Sequence, residues 1–156
     1  MGQAAGNQNW PVDHGHVSVS ETFEGGEGIG AARDLARSFL TRLQVAHGVR
    51  VSGHTIGAVE LVVSELVTNA RKFAPGPCLL SLEYKHHAVH VSVWDGNPCL
   101  PVIRGPDPAR VGHHGLEIVM AVSESLQFHE DPVGKRITST ITLSDDRRDD
   151  GGDGRA

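Results

Sequence analysis

Residues 54–96 read HTIGAVELVVSELVTNARKFAPGPCLLSLEYKHHAVHVSVWDG, and the spacing of the apolar residues changes within this stretch. Up to residue 73 the apolar residues recur about every three or four positions, which is the repeat of a helix with one buried face. The run Pro75-Gly76-Pro77 then stops the helix. Beyond it apolar and polar residues alternate, which predicts two strands joined by a hairpin around residues 85–87. The buried positions of the helix and the two strands are predicted to be Ile56, Val59, Val63, Leu66, Ala70 and Phe73, then Leu80, Leu82, Tyr84, Val89, Val91 and Val93.

The segments on either side of this stretch show the same two patterns. Upstream, residues 17–23 alternate as a strand, and a helical stripe follows at Ile29, Ala32, Ala36, Phe39 and Leu43. Downstream, a short third helix is predicted at Leu116, Val119 and Met120, and two last strands at Leu126, Phe128, Ile137, Ile141 and Leu143. Short turns between adjacent strands favour an antiparallel arrangement, whereas a doubly wound parallel sheet needs alternating helices and strands. We therefore predict an α+β fold: a two-layer α/β sandwich with a mixed, mostly antiparallel sheet and its helices on one face.

The composition of the chain limits the number of folded domains and the classes of function that are compatible with it. With 156 residues, 38% hydrophobic and 21% charged, the chain fits one folded domain with short tails. We predict a flexible leader at residues 1–16, a domain at 17–143 and a disordered acidic tail at 144–156. No apolar run reaches the roughly 18 residues of a membrane span, and the first residues are unlike a signal peptide, so a cytoplasmic location is expected. The net charge of −5 without a basic stripe argues against direct binding of nucleic acid.

Cysteine, histidine and glycine patterns exclude several other sites. Cys78 and Cys99 are the two cysteines of the chain and are predicted to be free thiols. The ten histidines lack a His-x-x-x-His helix or a cysteine pair, so a metal-dependent hydrolase built on them has little support. The glycines at residues 26–30 do not complete a dinucleotide-binding motif, because Ala31 stands in place of its third glycine and no βαβ unit follows.

Three segments of the chain carry residues suited to chemistry. Glu65 and Asn69 are four residues apart on the second helix, so they share a stripe at the margin of its buried face. They are either boundary residues that share solvent, or a carboxylate and an amide directed at a Mg²⁺-bound phosphate, with Glu65 able to deprotonate a hydroxyl.

Asp95 continues the valine alternation of its strand and therefore lies on the face that is turned toward the helices. A carboxylate there needs a donor, which is either a structural capping contact or an exocyclic amino group such as that of adenine. The third segment, Gly112-His113-His114-Gly115, precedes the predicted third helix. It is either an ordinary flexible loop end or an anion site that uses free backbone N–H groups.

Together the three segments resemble the N box, G1 box and G2 box of the Bergerat-fold, histidine kinase-like ATPases. Residues 64–70 (SELVTNA) correspond to the N box, Asp95-Gly96 to the G1 box and residues 112–115 to the G2 box. The first helix, with the pattern Ala-Arg-x-Leu-Ala-Arg, makes the chain look like the stand-alone anti-sigma factor serine/threonine kinases of bacteria. The resemblance spans residues 17–143, and Gly134-Lys135 would mark the turn before the last strand.

The resemblance implies roles for individual residues. Glu65 would be the catalytic base and Asn69 the ligand of Mg²⁺, with ATP and Mg²⁺ as cofactors. Asp95 and Gly96 would contact adenine. The phosphate-binding segment would comprise Gly112, Gly115 and Leu116. Two positions depart from the pattern: Phe73 stands where many relatives have histidine, and the G1 pattern Asp-x-Gly-x-Gly is reduced to residues 95–99 (DGNPC).

The function implied is that of an anti-sigma factor that binds a sigma factor, silences transcription and phosphorylates a serine or threonine of an antagonist protein. The unphosphorylated antagonist would release the sigma factor by competing for the kinase. Relatives of this kind often form homodimers. The reduced G1 box leaves an alternative open, namely a non-catalytic module of the same fold that sequesters a partner with weak or no ATP binding.

Overall fold

The computed structural model describes residues 16–24, 28–73, 76–96 and 115–143. The strands are β1 (Val17–Phe23), β2 (Cys78–Lys85), β3 (Ala88–Asp95), β4 (Ser125–Asp131) and β5 (Gly134–Thr142). The helices are α1 (Ile29–His47), α2 (Gly53–Phe73) and α3 (Gly115–Val122). The order of these elements along the chain is the predicted one. The predicted leader up to residue 15, the loop at 97–111, Gly112, Cys99 and the tail from residue 144 lie outside the described residues.

The strands form a five-stranded sheet in the order β1-β2-β3-β5-β4. All four pairings between neighbouring described strands are antiparallel, whereas the sequence predicted a mixed, mostly antiparallel sheet. In the central pairing, Val91 of β3 stands opposite Ser139 of β5, and Asp95 stands opposite Lys135. This register decides which side chains of the last strand meet the end of β3.

The core lies between the helices and one face of the sheet, which we call the inner face. The predicted stripe of α1 is buried at Ala32, Ala36, Phe39 and Leu43. On α2 the buried positions include Val59, Val63, Leu66 and Ala70, and on β3 they are Val89, Val91 and Val93. Since α2 packs on both β3 and β5, the α+β two-layer sandwich predicted from the sequence is confirmed.

The predicted third helix is present, and one of the three residues that indicated it is not buried. Leu116 and Val119 are buried and Val122 packs partly on the core, but Met120 is 50% exposed. The buried stripe runs through positions three residues apart, and each residue turns the helix by about 100°. Met120 therefore points about 100° away from Val119, to the solvent side of the helix.

The other face of the sheet, the outer face, is mostly polar. Side-chain hydrogen bonds run across its strands from Ser20 to Ser81 at 2.8 Å, from Ser92 to Thr138 at 2.8 Å, and from His90 to Thr140 at 3.1 Å. The sheet thus alternates apolar residues inward and polar residues outward, as expected where helices cover only one side.

Candidate functional site

Helix α2 places Glu65 and Asn69 at the margin of the core. Its start is fixed by Ser52, whose hydroxyl accepts a hydrogen bond from the backbone N–H of Thr55 at 3.1 Å, the usual N-cap arrangement. Leu66 and Val67 of the same helix are buried, whereas Glu65 and Asn69 are half-buried. The helix therefore presents a carboxylate and an amide, one turn apart, beside its buried stripe.

Two arginines of α1 hold α2 in place close to Glu65. Arg33 donates from Nη1 to the hydroxyl of Ser64 at 3.2 Å. Arg37 donates from Nε and Nη2 to the two carboxylate oxygens of Glu60 at 3.0 and 3.1 Å. The hydrogen bonds from Arg37 lower the pKa of Glu60, and the same contact raises the pKa of Arg37. Both are the arginines of the Ala-Arg-x-Leu-Ala-Arg pattern, from which no contact was predicted.

The first residue of α3 lies directly against Glu65. A Cβ atom added to Gly115 would stand 2.7 Å from Glu65 Oε1, which is closer than carbon and oxygen atoms approach without a shift. Because Oε1 is the end of a flexible side chain, a larger residue at position 115 would displace the carboxylate from this position. The structure therefore brings together the proposed catalytic carboxylate and the second glycine of the predicted phosphate-binding segment, while Leu116 of the same segment is buried at the start of α3.

Asp95 lies at the end of β3 on the inner face and is only 2% exposed. Lys135, opposite it on β5 and 1% exposed, donates from Nζ to both carboxylate oxygens at 2.9 Å. The donor that the sequence analysis required for Asp95 is thus supplied by the chain itself. Both side chains lie in the layer that α2 covers.

Gly134 brings the start of β5 close to the end of β3. A Cβ atom at this position would stand 2.2 Å from the backbone oxygen of Asp95 and 3.1 Å from Trp94 Cζ2. Since the nearest atom belongs to a paired strand, it cannot move aside in the way that a flexible side chain can. Gly134 therefore allows the close approach that places Lys135 beside Asp95.

Lys135 was not predicted as a site residue, and its only predicted feature was a place at the turn before the last strand. A signal was present in the alternation of β5, because Ile137 and Ile141 face inward and residue 135 has the same parity. A lysine in that series is exceptional, since lysine is almost never fully buried unless it is paired.

The remaining predicted glycines of the site lie just after β3 or outside the described residues. Gly96 follows β3 and is exposed, and Gly112 lies outside the described residues. Within the described ranges, no three His, Cys, Asp or Glu side chains gather as a metal site would need, and Cys78 is a buried thiol. No helix in the described part of the chain combines the length and hydropathy needed to cross a membrane.

The class of protein follows from a family comparison. The family model described as the histidine kinase-like ATPase domain matches residues 16–141, and the chain belongs to this family. The match includes both carboxylate positions of the site, Glu65 and Asp95. No curated protein sequence matches the chain significantly.

One solved structure supports the fold, and a second is similar at a lower score. The crystal structure of the RsbU and RsbW domains of Rv1364c from Mycobacterium tuberculosis matches with a TM-score of 0.59 and 16% identity, over 81% of this chain. This chain spans 32% of that longer one. The histidine kinase AdeS of Acinetobacter baumannii matches with a TM-score of 0.45 and 16% identity, over 81% of this chain and 68% of that chain. The first match shares the ATPase-type sandwich described above.

Proposed function

We propose that this protein is a cytoplasmic anti-sigma factor that binds ATP with Mg²⁺ and phosphorylates a serine or threonine of an antagonist protein. In this function the chain holds a sigma factor and thereby represses transcription. Phosphorylation keeps the antagonist from competing for the same chain. Membership in the histidine kinase-like ATPase family supports the binding of ATP. The combination of the three motifs supports a protein as the substrate that is phosphorylated.

The observation that carries this proposal is the contact between Glu65 and Gly115. A general base must lie within reach of the group that it deprotonates, and the phosphates must lie near the same point. The start of α3 offers backbone N–H groups and partial positive charge for phosphate oxygens, and it lies against the Glu65 carboxylate. A hydroxyl of the antagonist that reaches Glu65 is therefore next to the phosphate-binding segment.

Asn69 suits the ligand role for Mg²⁺. Its amide oxygen is a hard ligand of the kind that Mg²⁺ accepts, and a magnesium ion that keeps its waters and phosphate oxygens needs few protein atoms. Asn69 is half-buried, one turn beyond Glu65 on the same helix, so a metal-bound phosphate can reach it. When bound, Mg²⁺ neutralises charge on the phosphates.

A second candidate function is a sequestering module of the same fold that transfers no phosphate. The observation that favours it is the pair of hydrogen bonds from Lys135 to Asp95, which satisfies the carboxylate without any nucleotide. The reduced G1 box at residues 95–99 points in the same direction. In this case the partner surface acts alone and ATP is not required.

Phosphate transfer separates the two functions. The protein is incubated with labelled ATP, Mg²⁺ and antagonist proteins encoded beside it, and transfer is followed over time. For Glu65→Gln, which keeps the shape and removes the base, we expect transfer to fall by about 10²–10⁴-fold while sigma-factor binding persists. Glu60→Gln is the matched control, because Glu60 is on the same helix and contacts Arg37. If the wild type transfers no phosphate and Glu65→Gln changes nothing, the sequestering module is the correct function.

Nucleotide binding tests the metal ligand separately. Calorimetric titration with ATP and Mg²⁺ should show weaker binding by Asn69→Ala, because the variant lacks the amide oxygen. Thr68→Ala, at the exposed neighbouring position, should bind as the wild type does. Equal affinities of Asn69→Ala and wild type in Mg²⁺ would rule out this role for Asn69.

A further inference from the structure

Lys135 is a buried cation without a role in the proposed phosphate transfer. Both its side chain and that of Asp95 are almost completely buried, and they meet through two hydrogen bonds of 2.9 Å. Replacing a buried ion pair by apolar residues of similar volume is often neutral or stabilising, because both charges lose their hydration. Stability alone therefore gives no reason for a lysine and an aspartate at this position.

The geometry of the pair fixes the orientation of the carboxylate. One ammonium nitrogen is equidistant from Oδ1 and Oδ2, so the carboxylate plane cannot rotate without losing one of the two contacts. Lys135 stands directly opposite Asp95 in the β3–β5 pairing, and Gly134 lies against the backbone oxygen of Asp95. The orientation is thus set by the backbone of two interior strands.

The pair also supplies the carboxylate with a buried donor. Taking a carboxylate out of water is costly unless it is paired and hydrogen-bonded, and the two hydrogen bonds from Lys135 offset this cost. A carboxylate oxygen can accept more than one hydrogen bond. A hydrogen bond from an amino group is chemically compatible with the ion pair.

We propose that Lys135 is a positioning residue that holds Asp95 as an oriented acceptor and thereby determines how strongly the site recognises the exocyclic amino group of adenine. This inference rests on the proposed nucleotide binding and extends it to a residue that neither contacts the phosphates nor takes part in transfer. The affinity for a base with the amino group depends on Lys135. The affinity for a base that lacks this group does not.

The test compares ATP with purine riboside triphosphate, which has hydrogen in place of the amino group. In the wild type with Mg²⁺, ATP should bind about ten- to hundredfold more tightly, the range expected for one hydrogen bond to a charged partner. In Lys135→Met this ratio should fall toward one while the affinity for the analogue stays near that of the wild type. Lys85→Met is the matched control: Lys85 is at the far end of the β2–β3 hairpin and partly exposed, and the ratio should not change.

The ratio of the affinities for ATP and the analogue distinguishes a positioning role of Lys135 from a role in stabilising the fold. Partial unfolding would lower the affinities for both nucleotides equally. A ratio in Lys135→Met equal to that of the wild type would overturn the role of Lys135 and leave the proposed function intact. Absence of binding of either nucleotide to the wild type would overturn the proposed function itself.

A second measurement keeps the inference testable if Lys135→Met does not fold. Lys135→Gln retains an N–H donor and should keep part of the preference for ATP. In the wild type, the ¹⁵N–¹H signal of the buried ammonium, assigned by its loss in Lys135→Gln, should shift on saturation with ATP and shift less with the analogue. An ammonium signal that responds equally to both nucleotides contradicts the inference.

Discussion

Both faces of β3 carry polar side chains, but those on the inner face are excluded from water and those on the outer face are not. On the inner face the series Val89, Val91 and Val93 ends in Asp95, which is buried and held by Lys135. On the outer face His90 and Ser92 are only half-buried and bond to threonines of β5. Water can replace a lost partner on the outer face but not on the inner one. The same kind of contact therefore has a very different effect on stability, depending on which side of one strand it occupies.

The largest expected effect comes from breaking the inner pair. Lys135→Met leaves a buried charge without its cation and should lower the free energy of unfolding by about 3–5 kcal/mol. Lys85→Met removes an exposed contact with Glu83 of 3.7 Å and should cost less than about 1 kcal/mol. Urea titration of both variants checks the difference. The double variant Asp95→Leu/Lys135→Met should recover most of the loss, and equal costs for the two single variants would contradict the contrast between the faces.

A smaller effect is expected from Gly134→Ala. The added Cβ would stand 2.2 Å from the backbone oxygen of Asp95, so β5 must shift, which should cost about 1–3 kcal/mol. The same substitution at Gly57, an exposed position inside α2 with no atom within 4 Å of the added Cβ, should stabilise the protein by about 0.5–1 kcal/mol. Thermal unfolding should show opposite shifts. A destabilised Gly57→Ala or an unchanged Gly134→Ala would be inconsistent with these contacts.

On the outer face, the contact between Ser92 and Thr138 should contribute less. Ser92→Ala removes this 2.8 Å hydrogen bond from a half-buried position, and the expected loss is about 0.5–1 kcal/mol. A double-mutant cycle with Thr138→Ala isolates the pair. A coupling energy as large as the loss from Lys135→Met would remove the distinction between the two faces.

The smallest effect concerns protonation of His90. Burial, reinforced by Lys85, lowers the pKa of His90 below the ordinary value near 6.5. The unfolded chain then binds a proton at higher pH than the folded chain does. The stabilising contribution of neutral His90 is present above about pH 6.5 and is lost as the pH falls through the pKa of the folded state. Urea titrations between pH 7.5 and 5 should show a shallower decline for His90→Gln; an identical slope would contradict this assignment.

The sequence predicted the elements well because their signals are local. A stripe such as Ala32, Ala36 and Leu43 needs only its own helix to be recognised, and the strand alternations are equally self-contained. The contacts of the candidate site are not local. Asp95 and Lys135 are separated by 40 residues, and their meeting depends on the register of β3 with β5. The contact of Gly115 with Glu65 likewise depends on how closely α3 packs on α2, which no periodicity encodes.

The two parts of the candidate site also differ in how easily they unfold locally, because one lies in the interior of the sheet and the other on a short helix. Strands β3 and β5 are interior to the sheet, so amide hydrogens around Asp95 and Lys135 belong to the unit that exchanges last. Helix α3 has eight residues, fewer than an isolated helix needs, and depends on the packing of Leu116 and Val119. Gly115 therefore belongs to a unit that opens at lower free energy. A bound nucleotide would then have its base beside the more stable part of the sheet and its phosphates beside a helix that opens at lower free energy, so that it can leave without unfolding of the domain.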